Sequence, residues 1–370
     1  MNKKKRKYIS ISTRTIFTAC MVGLLFTVIQ GTFTQSYSGG EKSDQAIHAD
    51  ESFPGSCTTF TASNGEDVLF GNNEDFSNPD TYLWTVPSGY ETYGGIYFGY
   101  RVGYPQGGMN EKGLAFDALA LPEAKLNPRP ELPSRGRSDA LFLARIMEYN
   151  ATVDEAISFA EGFNWGAAVG FQVLLADAAG SAVIISAGTD GEIAFTRKPE
   201  GEGHLVGTNF NRANPENRFG QPPCLRYDTA QSMLVQGDDQ DDLSVDHFKA
   251  ILDAVHVEGV KENTLYSNIF DLRHGVIYLY YWHQYDEVVR LNVKELIKIG
   301  SEHIRISELF PQEMVIQAEE EYQRHVDRAA RDRWLNQNGK IVIVGGGFIV
   351  VGLIGLLIAI KKRRISYDSK

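Results

Sequence analysis

Residues 57–75 constrain this chain more than any other stretch. Cys57-Thr58-Thr59-Phe60 opens an alternating strand, Asn64-Gly65-Glu66-Asp67 reads as a turn, and Val68-Leu69-Phe70-Gly71 carries the polar run Asn72-Asn73-Glu74-Asp75 back beside the start. Alternation broken by a glycine turn is the signal of a β-hairpin. Residues paired across such a hairpin stand ~5 Å apart. The hairpin therefore sets a thiol and a carboxylate side by side. Cys57 is the candidate nucleophile and Asp75 a member of its site.

Composition narrows the remaining choices. The chain has 370 residues and a net charge of −11, which argues against a nucleic-acid surface. Its basic clusters lie only at the two ends. Three cysteines are too few for a disulfide framework. Cys20 falls in an apolar run, and Cys57 and Cys224 could pair in an exported protein. The constellation around Cys57 favours the nucleophile over that disulfide.

Both ends depart from globular sequence. Lys3-Lys4-Lys5-Arg6-Lys7 precedes an uncharged run from Ile16 to Phe33, so residues 1–33 read as a signal peptide or N-terminal anchor. Residues 34–56 are polar and read as a pro-segment. Ile341 to Ile360 is uncharged and followed by Lys361-Lys362-Arg363-Arg364. At ~1.5 Å per residue such a run crosses a ~30 Å hydrocarbon core, with the basic residues inside. The expectation is a cell-membrane protein with one C-terminal transmembrane helix over 341–360, a cytoplasmic tail over 361–370 and an extracytoplasmic body. The charged segment 301–340 then reads as a helical stalk.

Between the ends, the periodicity alternates between strands and helices. Ser138 to Tyr149 has helical apolar spacing, and Thr152-Val153-Asp154-Glu155 is a capping box opening a second helix. Val169–Ala176 and Ala182–Ala187 flank the turn Asp177-Ala178-Ala179-Gly180, and His204 to Phe210 is a further strand. Leu225–Val235 and Ser244–His256 read as helices about the acidic run 238–242, a solvated loop. Leu265–Phe270 and Val276–Tyr281 form another hairpin, and Glu287–Val293 returns to the sheet. Runs of strands separated by helices imply two sheets covered by helices.

A cysteine nucleophile needs a base, because a free thiol has a pKa of ~8.5. No histidine lies near Cys57 in sequence. Cutting the Ser56–Cys57 bond would give Cys57 its own α-amino group, with a pKa of ~7.7–8.0, as that base. Such a cut would come from attack of the Cys57 thiol on the preceding carbonyl.

The ordered set Cys57-Thr58-Thr59-Phe60, Phe70-Gly71-Asn72-Asn73-Glu74-Asp75, Gly108-Met109-Asn110-Glu111-Lys112-Gly113-Leu114, Leu174-Leu175-Ala176-Asp177 and Gly207-Thr208-Asn209 resembles the choloylglycine hydrolase family. That family contains bile salt hydrolases and penicillin V acylases and is related to isopenicillin N acyltransferases. The resemblance spans residues 57–295 and implies an α+β fold, the four-layer αββα N-terminal nucleophile hydrolase fold, over 57–300. It implies that Cys57 is the nucleophile, Asp75 holds its amine and thiol, Asn209 binds the oxyanion and Arg226 orders the charged site. It also places Phe60, Asn72, Asn73 and Ala120 at the substrate. Two departures stand out. Asn72 occupies a position where many relatives have arginine, and Ala120 falls where they carry an asparagine or tyrosine, so that only its backbone could serve.

The implied activity is hydrolysis of a linear N-acyl amide of a small molecule through a Cys57 thioester, after loss of residues 1–56. The motif set calls for no cofactor and no metal. An acyltransferase shares the thioester step. An inactive surface ligand-binding protein would keep the fold alone.

Overall fold

A computed structural model describes residues 57–199, 202–236, 243–260 and 262–334. The expected hairpin forms, with β1 (Thr58–Ser63) antiparallel to β2 (Val68–Phe76). Asn64 closes the turn by accepting at its side chain from the amides of Glu66 and Asp67. β10 (His204–Gly207) adds to the free edge of β1, and β11 (Asn263–Asp271) to the far edge of β2. With β12 (Val276–Tyr281) and β13 (Gln284–Asn292) they make a six-stranded sheet in the order β10-β1-β2-β11-β12-β13.

The second sheet has eight strands, in the order β14-β3-β4-β5-β6-β7-β8-β9. They are β3 (Tyr82–Val86), β4 (Gly95–Gly99), β5 (Gly107–Asn110), β6 (Ala115–Lys125), β7 (Ala168–Ala176), β8 (Ala182–Ala187), β9 (Ile193–Arg197) and β14 (His303–Arg305). Every pairing in both sheets is antiparallel. The Asn110–Gly113 turn shows why its motif has those residues. Asn110 accepts from the amides of Lys112 and Leu114 and donates to the carbonyls of Met147 and Asn150. Gly113 has φ of 81°, and a Cβ there would strike the carbonyl oxygen of Leu272.

The sheets face each other across a core that joins Val68, Phe70, Phe270 and Leu279 of one sheet to Ile96, Phe98, Met109 and Leu174 of the other. Helices cover the outer faces. α1 (Asp139–Tyr149) and α2 (Val153–Glu161) bury Phe142, Ile146, Ala156 and Ala160 against Phe116, Val173 and Ile185 of the eight-stranded sheet. Thr152 forms both bonds of its capping box with Glu155. α3 (Leu225–Gln236) and α4 (Val245–Ala254) bury Ala230, Leu234, Phe248 and Ile251 against Phe60, Leu69 and Ile269 of the six-stranded sheet. The fold is α+β, built on two antiparallel sheets.

The C-terminal part departs from the sequence expectation. Residues from 301 do not begin as a helical stalk. β14 completes the eight-stranded sheet beside β3, α5 (Val293–Ile299) precedes it, and Ile306 and Phe310 join the inter-sheet core. The following helix, α6 (residues 312–334), packs Val315 and Ala318 into that core. Alternating burial and sheet pairing decide this, where charge density alone reads as a free stalk.

Among the described residues no helix is long and apolar enough to cross a membrane. This overturns the expected localisation at a cell membrane. The run 341–360, the tail 361–370, residues 335–340 of the expected stalk, the N-terminal segments 1–33 and 34–56, and the acidic run 238–242 all lie outside the described residues.

Candidate active site

Strand register sets the surroundings of Cys57. Thr58 pairs with Asn73, so the next rung places Cys57 opposite Glu74. The thiol lies 3.7 Å from Glu74 Oε1 and 3.7 Å from the Asp75 carbonyl oxygen, and the Asp75 amide donates to Sγ at 3.4 Å. Successive strand residues face opposite ways. Glu74 therefore shares the inter-sheet face of β2 with Val68 and Phe70, while Asp75 turns toward α3. Thr264 Oγ1 donates to Asp75 Oδ1 at 2.5 Å, and Asp75 Oδ2 stands 4.0 Å from Arg226 Nη1.

Arg226, the second residue of α3, is the hub. Its Nη1 donates to the Cys57 carbonyl and to Thr58 Oγ1, both at 2.7 Å, and its Nη2 donates to Asn209 Oδ1 at 3.1 Å. A planar guanidinium spreads its donors over separate nitrogens in a fixed fork, where a lysine ammonium is a single point. Asn209 follows β10, and its Nδ2 donates to the Ala120 carbonyl at 2.9 Å. Gln172 of β7 holds this segment by donating to the carbonyls of Thr208 and Phe210. Cys57, Asp75, Asn209 and Arg226 thus form one connected set. Ala120 joins it through its backbone carbonyl.

Two residues expected at the substrate lie elsewhere. Phe60 is fully buried and its ring packs 4.9 Å from that of Phe248 in the core under α4. Asn73 donates to the Leu252 carbonyl of α4 and accepts from Ser267 Oγ and Tyr285 OH. Strand parity is the reason. Both side chains point to the helix-covered face of the sheet. Asn72 has the opposite parity and is buried, with neither amide atom in a hydrogen bond.

A second group of polar residues lies beside Cys57 that motif reading does not single out. Tyr100 OH donates to Glu74 Oε1 at 2.6 Å. Asp117 is wholly buried with neither carboxylate oxygen in a hydrogen bond, and Tyr266 is buried close to both Glu74 and Asp117. The signal for Glu74 is present in the sequence. Parity from Thr58 and Asn73 makes it, and not Asp75, the residue beside the thiol. Tyr100, Asp117 and Tyr266 carry no such signal, since they come from the segment after β4, from β6 and from β11.

Burial governs the electrostatics here. It pushes Glu74 from 4.5 up to about 7, against the hydrogen bond from Tyr100. It pushes Asp75 from 3.8 up to about 8, although Arg226 and Thr264 act the other way. Asp117 is raised strongly by burial and by Glu74 and Asp75. Burial, Glu74, Asp75 and Asp117 together drive the Cys57 thiol well above its ordinary range. In the intact chain the thiol therefore keeps its proton. Both Cys57 and Cys224 are free thiols, and Cys224 Sγ contacts Thr208 Oγ1 at 3.4 Å. Among the described residues, Glu258, His283 and Glu321 could hold a metal ion, on elements other than these.

Comparison with known proteins places this arrangement. No curated protein matches the sequence. A mutant conjugated bile acid hydrolase from Clostridium perfringens is similar in structure, with a TM-score of 0.51 and 14% identity over 67% of this chain and 96% of that one. A second variant of that hydrolase gives the same values. Penicillin V acylase from Agrobacterium tumefaciens has 20% identity over 61% of this chain and 83% of that one, with a TM-score of 0.46. At 14% identity the likeness to the bile acid hydrolase speaks for the fold alone. The sequence profile of the acyl-coenzyme A:6-aminopenicillanic acid acyl-transferase family matches residues 61–285, more than half of the chain. The expected kinship with choloylglycine hydrolases and their acyltransferase relatives therefore stands, and the chain belongs to the acyl-coenzyme A:6-aminopenicillanic acid acyl-transferase family.

Proposed function

We propose that this protein is a cysteine N-terminal nucleophile amidase that hydrolyses a linear N-acyl amide of a small molecule. The observation that carries this reading is the Arg226 hub, which ties the Cys57 carbonyl, Thr58 and Asn209 together and stands 4.0 Å from Asp75. Cys57, Asp75, Asn209 and Arg226 come from four separate segments and meet at the guanidinium of Arg226. A packing role alone would not call for a charged hub.

The chemistry begins with processing. The Cys57 Sγ adds to the carbonyl carbon of Ser56, the thiol proton passes to the Cys57 nitrogen as the Ser56–Cys57 C–N bond breaks, and hydrolysis of the resulting thioester releases residues 1–56 and restores the thiol. The new α-amine has an ordinary pKa of ~7.7–8.0. A thiol raised by burial needs a proton acceptor in contact with it, and the amine is that acceptor. Its ammonium form also favours ionisation of Asp75, because an opposite charge nearby lowers a carboxyl pKa.

The thiolate then attacks the substrate acyl carbon. Asn209 offers the developing oxyanion the Nδ2 hydrogen not committed to Ala120. The C–N bond breaks, the ammonium proton passes to the leaving amine, and the acyl group remains on Sγ. Water, deprotonated by the same amine, attacks the thioester. The acid leaves and the thiol is restored. An acyltransferase differs only in that an amine replaces water at this second step, and the family assignment favours keeping that reading. Conjugated bile acids, penicillin V and other N-acyl amino acids make up the substrate panel.

N-terminal sequencing and intact mass of wild type and Cys57→Ala test the reading, followed by assay of both on that panel. The expected result is a wild-type chain that starts at Cys57 and releases acid, beside a variant that retains residues 1–56 and is inert. Full activity in a wild-type chain still carrying residues 1–56 would overturn the mechanism. Adding hydroxylamine or a second amine separates hydrolysis from transfer by product mass.

A further inference from the structure

A second cluster of chemistry-bearing side chains lies where three elements meet. His256 and Glu258 belong to the segment between α4 and β11, His283 to the β12–β13 turn, and Glu321 and His325 to α6. Glu321 and His325 are four residues apart, so they share one face of their helix. His283 Nε2 lies 2.8 Å from Glu321 Oε1. His325 Nε2 lies 3.7 Å from Glu321 Oε1 and 3.9 Å from Glu258 Oε2. Ligand atoms of Glu258, His283 and Glu321 all fall within 4.8 Å of one another.

We propose that these residues form a zinc site, with Glu258, His283, Glu321 and His325 as ligands, which clamps α6 onto the catalytic domain. Zinc takes four imidazole or carboxylate ligands in a tetrahedron, with bonds of ~2.0–2.2 Å. Ligand atoms at the corners of such a tetrahedron stand ~3.3–3.6 Å apart. Glu258, His283 and Glu321 already lie within 4.8 Å of one another, and His325 stands 3.9 and 3.7 Å from the two carboxylates, so a side-chain adjustment of His325 toward His283 brings the fourth donor round one ion.

His283 has a built support. Its ring stacks on that of His256 at 4.9 Å, and Trp282, immediately before it, has φ of 59°, a left-handed backbone that a bulky residue rarely adopts. His256 Nε2 in turn contacts Glu258 Oε1 at 3.1 Å. Such a contact orients a carboxylate ligand from outside the coordination sphere.

The clamp has a structural reason. Val315 and Ala318 anchor the first turns of α6 in the core, while residues beyond them are mostly exposed. Glu321 and His325 lie one and two turns further on.

Metal-free full-length protein titrated with Zn²⁺ against a chromophoric chelator tests the site. The expected result is one tightly bound equivalent, and one equivalent of Co²⁺ giving the visible bands of a tetrahedral complex. His325→Asn and Glu321→Gln should each abolish that equivalent. His256→Gln should weaken it by ~10–100-fold, the usual effect of losing an outer-shell partner. His274→Asn, on another turn, should leave it unchanged. Zinc should raise the thermal midpoint of the wild type and not that of His325→Asn. Absence of a bound equivalent in the wild type, or its persistence in either His325→Asn or Glu321→Gln, would overturn the proposal.

Discussion

Glu74→Gln tests the reading of the inter-sheet polar group quantitatively. Glu74 is fully buried beside Cys57, and its pKa stands at about 7 instead of 4.5. In the unfolded chain the carboxyl releases its proton near ~4.3, and in the folded chain it holds it to about 7. Below that window both states carry the proton and the group has no effect. Within it the folded state binds the extra proton, so stability falls as pH rises. Above about 7 the loss is complete and constant. One proton corresponds to a slope of ~1.4 kcal/mol per pH unit, and the whole displacement to about 4 kcal/mol. Gln keeps an acceptor for Tyr100 OH and cannot ionise. The variant should therefore have a stability slope between pH 5 and 7 that is shallower by ~1.4 kcal/mol per unit. Near pH 7.5 it should be more stable than its parent by about 2–3 kcal/mol, after the cost of a buried amide. Urea unfolding followed by tryptophan fluorescence from pH 5 to 8 measures this, with Cys57→Ala in both proteins so that neither is processed. Parallel pH–stability curves for the two would refute the argument.

Asn209→Ala should lower kcat by about 10²–10³ with a small change in KM, as for loss of one oxyanion donor; an unchanged kcat would remove Asn209 from the site. Arg226→Lys keeps the charge but loses the simultaneous bonds to Cys57, Thr58 and Asn209, and kcat should fall by about 10–100-fold, measured by steady-state kinetics. Thr264→Val removes the donor to Asp75 Oδ1 and should cost about 1–3 kcal/mol in urea unfolding. Phe60→Ala should cost about 3–5 kcal/mol of stability while leaving KM of the folded enzyme unchanged, which separates a core residue from a substrate contact.

Local physics was legible in the chain itself. Alternation and turn residues located the 57–75 hairpin, the capping box at Thr152 opened its helix, and the strands of the six-stranded sheet, with β7 and β8 of the other, could be read from period and glycine. Cys57 stood out because a thiol at the start of such a hairpin, inside an ordered motif set, is placed for chemistry more readily than for packing. The same rules misled where charge and composition were read without packing. Residues 301–310 read as the start of a stalk and instead contain the edge strand β14, because what decides a strand is an available partner, here β3.

Tertiary structure decided the rest. Which edge of β1 receives β10, and therefore that Asn209 arrives near Cys57, depends on pairing between segments about 150 residues apart in sequence. Arg226 reaches the Cys57 carbonyl only because α3 packs on the six-stranded sheet. The raised pKa of a carboxyl is written in no motif, and Asp117 belongs to none of those quoted. Glu74 and Asp117 become expensive to ionise only when two sheets close over them and exclude water, a cost that exists in the assembled layers and nowhere in the sequence.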